Sequence, residues 1–414
     1  MANIFPFHAY RYSLAAGDLA NLLTQPYDKI SSAMNARYLA ASPYNLVRVI
    51  LGEPSPGDND SENVYTRSAA YFREWIANGV LARESESSLF AYFQEFTVPD
   101  SGERLTRKGF IGLGAVEPYE AGVVFRHERT LAGPKKDRRQ VLEHTRAHFG
   151  QIFMLYPDPE CAVDALLDAA AQGAPLAEVR DEYDAVHRIW KIADPAAIVA
   201  IQSQMVGKKL LIADGHHRYE TALGFHADHP EIPGAVNVMM TFVNMHAPGL
   251  RILATHRVVP KLEGFALGPL LDRAASAFTV TRIADLDALK AVFQTPDPAT
   301  VRIGIATHDA ADYVLLSRER KDGELDVPVL HDEILKGMLG VSEDAVRHEL
   351  LRYIRGLDAA VDEVRKGAAV AFLLDPTPAD EMARIAFAGG VMPQKSTDFY
   401  PKLLTGMAIY KIDE

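Results

Sequence analysis

The sequence predicts a mixed fold, α/β grading into α+β, and three observations carry that expectation. Short apolar runs of strand character alternate with helical patterns along all 414 residues. Hydrophobic residues make up 48% and charged residues 24%, a globular balance that excludes a disordered or fibrous chain. A single cysteine, Cys161, excludes an internal disulfide framework and a multi-thiolate zinc site. The fold must therefore rest on packing. A chain of this length buries roughly three quarters of its unfolded surface and needs no staples. At about 150 residues per domain it predicts two or three domains.

The elements follow in order. Residues 4–12 read as a strand and Pro26-Tyr27-Asp28 as a turn. Ser31 can cap a helix to about residue 41, which Ser42-Pro43 stops, and 46–51 resumes extended structure. Residues 53–63, rich in Pro, Gly and acidic side chains, make the best linker; a helix follows to about residue 77, where Asn78-Gly79 ends it. Residues 89–98 and 105–116 read as a strand pair joined by a turn at 100–102. A short apolar strand at 152–156 breaks at Pro157 and Pro159. The run 208–213 (KKLLIA) reads as a buried strand, followed by a polar turn and a helix from Tyr219, and 236–244 returns to strand. A change of domain near 260–269 gives domains 1–265 and 266–414. The last third is expected to hold a capped helix at 342–355, a strand at 368–374 and a loop at 392–402.

The first residues lack the basic and apolar segments of a signal peptide, and no apolar run reaches the roughly 20 residues of a membrane span. A cytoplasmic location is expected, with no membrane partner. The net charge of −12 argues against nucleic acid, whose affinity comes mainly from phosphate neutralisation. The charge is uneven, however: residues 126–149 hold seven basic and three acidic side chains. Such an island suits either a small anionic ligand or a solvated helix.

The strongest chemical signal is Asp214-Gly-His-His-Arg218, where an apolar strand runs into a helix. That geometry aims free backbone N–H groups and a positive helix end at one point, which suits a phosphate or carboxylate. Gly215 permits the tight turn. Arg218 can clamp an anion with two parallel hydrogen bonds, yet it opposes the helix dipole there unless an anion is near or Glu220 neutralises it. Adjacent His216 and His217 cannot easily point the same way, so one can meet ligand while the other anchors the loop. A zinc reading through Asp214, His216 and His226 lacks helical ligand spacing. The plain alternative is a capped turn with satisfied histidines. Lys135 and Lys136, just after Gly133-Pro134, repeat the misfit of cations in a first helical turn.

Phosphoryl transfer needs cationic clamps, usually a divalent metal, and a carboxylate to orient the attacking hydroxyl. Arg129, Lys135, Arg138, Arg218 and Lys395 are candidate clamps, with Ser396 beside the last; Asp28, Glu128 and Asp214 are candidate bases or Mg²⁺ ligands. Each lone carboxylate also has a turn-capping explanation. There is no Walker A loop, no dinucleotide fingerprint beyond the short Gly112-Leu-Gly114, and no Gly-x-Ser-x-Gly nucleophile motif.

Asp214-Gly-His-His-Arg-Tyr-Glu-Thr-Ala-Leu223 resembles the signature of a large prokaryotic family of unknown function, DUF1015. Further segments carry the resemblance along the chain: Gln25-Pro-Tyr-Asp-Lys-Ile30, Ser42-Pro-Tyr-Asn-Leu-Val-Arg48, residues 127–138, Thr255-His-Arg257 and residues 392–402. The Asp214 to Arg218 turn is also similar to that of the archaeal free serine kinases, which use ADP and belong to the ParB/sulfiredoxin superfamily. This resemblance implies a ParB/sulfiredoxin-like core within 1–265, interrupted by an insertion at about 53–200, followed by a C-terminal α+β region. It implies a nucleotide-dependent phosphotransferase acting on a small hydroxylated metabolite, free serine or phosphoserine first, with Mg²⁺ and ADP or ATP. Asp214, His216, His217 and Glu128 would serve catalysis. Gly215, Arg218, Arg129, Lys135, Arg138, Lys395 and Ser396 would hold nucleotide, with Asp28 a further candidate and Asp214 a possible Mg²⁺ ligand. The rivals are a nucleotide-binding regulatory switch, as in ParB-type proteins that bind CTP, and a metal-dependent hydrolase using the paired histidines.

Overall fold

The computed structural model describes residues 2–99, 101–128, 132–295, 297–308, 313–341, 350–393 and 395–414. The chain is mixed α/β and divides into two compact units. The first comprises Met1–Thr97, Arg104–Leu250 and Pro401–Glu414, and the second Val98–Glu103 and Arg251–Tyr400.

In the first unit, nine strands form one sheet among the described residues. Their spatial order is Val124–Phe125, Leu210–Asp214, Ile152–Tyr156, Asn237–Asn244, Arg104–Ala115, Leu89–Thr97, Val186–Ile192 and Ala177–Arg180. Ile4–Phe5 also pairs with Arg104–Ala115. Ile152–Tyr156 runs parallel to Asn237–Asn244, and Leu210–Asp214 parallel to Val124–Phe125. The central strands are apolar on both faces because both are covered, so Ile152–Tyr156 is buried at every position. The helix His216–Asp228 lays Tyr219, Ala222 and Phe225 inward at helical spacing. Each such aromatic contributes about 1.5–3 kcal/mol by leaving water. The basic-rich helix Ala132–Thr145 packs beside it. The final residues close this unit: Tyr410–Lys411 pairs with Ala147–His148, and Thr405 bridges Thr24.

The second unit holds a six-stranded, fully antiparallel sheet among the described residues. Its order is Thr279–Ile283, Tyr313–Glu319, Thr300–Thr307, Val370–Leu374, Thr255–Val259 and Arg352–Arg355. Leu267–Ala274 and the π-helical Leu330–Met338 contribute to one core cluster, and Leu357–Arg365 to another. No helix among the described residues is long and apolar enough to cross a membrane.

Four sequence expectations need correction. The loop expected at 392–402 contains the strand Asp398–Tyr400, paired antiparallel with Arg251–Leu253. The strand at 4–12 is two pieces, Ile4–Phe5 and Tyr10–Tyr12, paired to different partners, because Pro6 has no N–H to continue a ladder. Residues 46–51 hold the short helix Val47–Ile50 rather than a strand; Asn45 Oδ1 accepts from Val47 N at 2.9 Å and starts the turn. Of the helix expected at 342–355, residues 342–349 lie outside the described residues, and Arg352–Arg355 is a strand paired to Thr255–Val259. Tertiary pairing overrides a helix-like local pattern there.

Candidate functional site

The site forms where Leu210–Asp214 leaves the sheet. Ile212 pairs with Met154 and Asp214 with Phe153, so Ala213 is an extra residue, and the bulge redirects the strand end. Gly215 follows at φ +98°, a left-handed backbone that side chains resist, and the helix begins at His216. Its unsatisfied N–H groups and positive end favour negative charge at this corner.

Asp214 supplies part of that charge from within the protein. Its Oδ2 accepts from Arg218 Nη2 at 2.8 Å, and its Oδ1 lies 3.3 Å from Lys402 Nζ. Burial works to raise its pKa, but Lys402, Arg218 and Lys29 outweigh it and hold the carboxyl well below the usual range. Arg218 also donates from Nη1 to the Gln151 carbonyl at 2.5 Å. A Cβ at Gly150 or Gly215 would stand 3.0 Å from this guanidinium, so the arginine would have to give way by a few tenths of an ångström, and at Gly215 the positive φ adds strain of its own.

Lys402 is brought here by a buried polar cluster. Gln94 Nε2 donates to the Lys402 carbonyl at 2.9 Å, while Arg107 donates from Nε to Gln94 Oε1 at 2.9 Å and from Nη2 to the Pro401 carbonyl at 2.5 Å. Burial lowers the Arg107 pKa to about 9, so it stays cationic at neutral pH. Tyr92 accepts from Leu404 N at 3.2 Å and bonds His187 Nδ1 at 2.7 Å; His187 Nε2 in turn meets Asp181 at 3.2 Å.

Beside Arg218 runs a narrow cleft of about 570 Å³ including its open mouth, lined by Tyr27, Arg138, Phe149, Thr221 and Thr405. The Arg138 guanidinium lies 4.0 Å from the centre of the Tyr27 ring and donates to the Ile50 carbonyl at 2.7 Å. Two arginines beside aromatic and apolar walls can take an anionic group carried on a less polar body.

The histidines divide by burial. His127 Nδ1 donates to the Ile212 carbonyl, 2.7 Å away, and its ring stands edge-on to His216 at 4.7 Å. Burial lowers the His127 pKa to about 4 and that of His216 well below its ordinary value, so both are neutral at pH 7. His216 Nε2 finds no hydrogen-bond partner among the described residues, while His217 is half-buried.

The family model described as "Protein of unknown function (DUF1015)" matches residues 4–346. This chain belongs to that family. No curated protein matches it. Among solved structures, similarity is found to a conserved hypothetical protein from Pyrococcus furiosus, at 13% identity and TM-score 0.34, over 68% of this chain and 88% of that one. A free serine kinase in complex with AMP matches at 12% identity and TM-score 0.33, over 69% and 88%. SbnI with a C-terminal truncation, from Staphylococcus aureus, matches at 11% identity and TM-score 0.37, over 73% and 87%.

In this DUF1015 member the sequence candidates fall into distinct places. Gly215, Arg218 and Asp214 meet at the corner, and Arg138 joins them across the cleft. Lys135 Nζ pairs with Glu220 at 2.6 Å, and Arg126 approaches the same carboxylate at 3.4 Å. Lys135 and Arg218 are thus answered by Glu220 and Asp214, which removes their dipole misfit as an argument for a bound anion. Asp28 is exposed, 4.0 Å from Lys29, and Glu128 is half-buried directly after His127 and already engaged. Arg129 lies outside the described residues. Lys395 and Ser396 belong to the second unit, where the Lys395 carbonyl accepts from Arg257 at 3.0 Å and Ser396 Oγ donates to Pro393 at 2.6 Å. No three His, Cys, Asp or Glu side chains among the described residues converge to hold a metal.

Sequence reasoning missed Lys402, Tyr27 and the Gln94–Arg107 clamp. Tyr27 stood inside a noted motif, but its stacking on Arg138 is a contact across more than a hundred residues. Lys402 closed another noted motif, and nothing local marks a lysine for burial.

Proposed function

We propose that the Arg218–Arg138 cleft binds the phosphates of a nucleotide and that the protein transfers a phosphoryl group to or from a small hydroxylated metabolite, with free serine or phosphoserine first among substrates. The observation that carries this reading is the meeting of two arginines and Tyr27 at the start of the helix behind Gly215. The likeness of the Asp214 to Arg218 turn to that of the free serine kinases supports the choice of chemistry. Arg218 and Arg138 would hold phosphate oxygens, Tyr27 and Phe149 would flank the less polar part of the ligand, and His217 would face the transferring group. His216, buried and neutral, anchors the turn against His127.

Asp214 does not fit a Mg²⁺ ligand or a general base in this arrangement, since each of its oxygens already faces a cation. It organises Arg218 and Lys402. The same observation favours a second reading, nucleotide binding without transfer, in which the cleft is a regulatory module.

The test is a thermal shift of the full chain with ADP, ATP and CTP, each with Mg²⁺, on wild type, Arg218→Ala and Arg138→Ala. A ligand at 100 times its Kd stabilises the folded state by about 2.7 kcal/mol. A shift present in wild type and lost in both variants supports nucleotide in this cleft; no shift with any nucleotide overturns both readings. Phosphorus NMR with serine and phosphoserine then separates transfer from binding alone.

A further inference from the structure

The return of the last residues to the first unit brings a second side chain to the Arg218 corner besides Lys402. Thr405 lines the cleft and is only 4% exposed, yet its hydroxyl makes no hydrogen bond among the described residues. A buried hydroxyl without a partner carries a desolvation cost that a ligand acceptor would recover. Buried threonines ordinarily avoid that cost by bonding a nearby carbonyl. Thr221 does so on the same cleft wall, donating to the His217 carbonyl at 2.7 Å.

The backbone holds Thr405 in place. Its N–H donates to the Thr24 carbonyl at 2.8 Å and its carbonyl accepts from Thr24 N at 3.3 Å, while Gly406 N donates to the Phe149 carbonyl at 3.1 Å. A side chain on a segment bonded from both flanks is ordered before any ligand arrives, so binding costs it little entropy. Gly150 leaves space in front of it. A Cβ there would stand 3.0 Å from Arg218 Nη1 and 3.6 Å from Thr405 Oγ1. Hydroxyl and guanidinium therefore flank one spot that no side chain of residue 150 fills.

Donors remain for a ligand at this spot. Arg218 Nη1 and Nη2 are engaged by Gln151 and Asp214, but Arg218 Nε makes no hydrogen bond among the described residues. Neither does Arg138 Nη1 on the same cleft, whose Nε and Nη2 go to Asp137 and the Ile50 carbonyl. A phosphate group can offer a terminal oxygen to each of these two N–H groups and a third to a hydroxyl. Resting on the nucleotide reading above, the geometry points to Thr405 as a third phosphate-binding side chain, its hydroxyl donating to an oxygen of the phosphate that Arg218 holds.

The test is calorimetric titration of the full chain with ADP, and separately with inorganic pyrophosphate, on wild type, Thr405→Val, Thr405→Ser and Arg218→Ala. Valine keeps the shape and removes the hydroxyl; serine keeps the hydroxyl. Both probes should bind about tenfold more weakly to Thr405→Val, the loss of one hydrogen bond to a charged group, and Thr405→Ser should restore the affinity. Because the hydroxyl bonds nothing within the protein, the unliganded melting temperature of Thr405→Val should equal or exceed that of wild type, which a merely structural role would lower. Unchanged affinity in Thr405→Val, an equal loss in Thr405→Ser, or a loss confined to ADP each overturns the assignment, the last because pyrophosphate carries only the phosphates. Binding that survives Thr405→Val but is lost in Arg218→Ala overturns the role of Thr405 alone. A wild type that binds neither probe overturns the phosphate reading with it.

Discussion

Replacing Lys402 with methionine keeps most of the buried stem and removes one ammonium from Asp214. At the observed 3.3 Å, and with an effective dielectric of about 20, the gross attraction is about 5 kcal/mol. Much of that offsets the desolvation of a lysine side chain that is only 8% exposed. Removing one partner of a buried pair typically costs about 3–5 kcal/mol, but Asp214 keeps Arg218 at 2.8 Å and remains partly open to water, so the expected loss is about 2–3 kcal/mol. For a unit of this size that corresponds to a melting temperature lower by roughly 5–10 °C. Calorimetry on wild type, Lys402→Met, Asp214→Asn and the double variant measures the coupling directly. The pH dependence has a definite sign. Asp214 is depressed in the folded state, so its stabilisation is present above the unfolded value of about 3.9 and is lost as pH falls through the folded value. In Lys402→Met the folded pKa moves back toward the ordinary range, so this loss in acid shrinks. A change below about 1 °C, additive in the double variant, would refute the account of Lys402 as the partner that fixes Asp214.

Other outcomes follow from the same geometry. Gly215→Ala forces a side chain into φ +98° with its Cβ 3.0 Å from the Arg218 guanidinium; a cost of about 1–3 kcal/mol and weakened nucleotide binding are expected, read by chemical denaturation and thermal shift. Arg138→Ala removes the stack on Tyr27 and one cation from the cleft; nucleotide affinity should fall by about tenfold or more, measured by titration. His127 is neutral in the fold with a pKa near 4 against about 6.5 unfolded, so its contribution is intact above pH 6.5 and declines toward pH 4 by about 3 kcal/mol. Urea unfolding at pH 7.5, 5.5 and 4.5 measures that slope, which should flatten in His127→Gln.

The corner at Asp214, Gly215 and Arg218 was legible because strand, turn and helix start are all local signals within some twenty residues. The mixed fold class was legible for the same reason, since periodicity and punctuation report secondary structure wherever tertiary pairing agrees with them. They failed at 46–51, where a single Asn45 side chain chose a helical turn, and at Arg352–Arg355, where a strand partner nearly a hundred residues away prevailed. The sequence alone therefore determined the class of the protein, its family and the turn at the centre of its site. Only the tertiary structure decided that Asp214 is held between two cations, that Arg138 and Tyr27 face Arg218, and that the last residues return to supply Lys402. Those contacts join residues between four and about two hundred positions apart in the chain, and burial fixes their energies. Neither distance in space nor exclusion of water is written in any short stretch of chain.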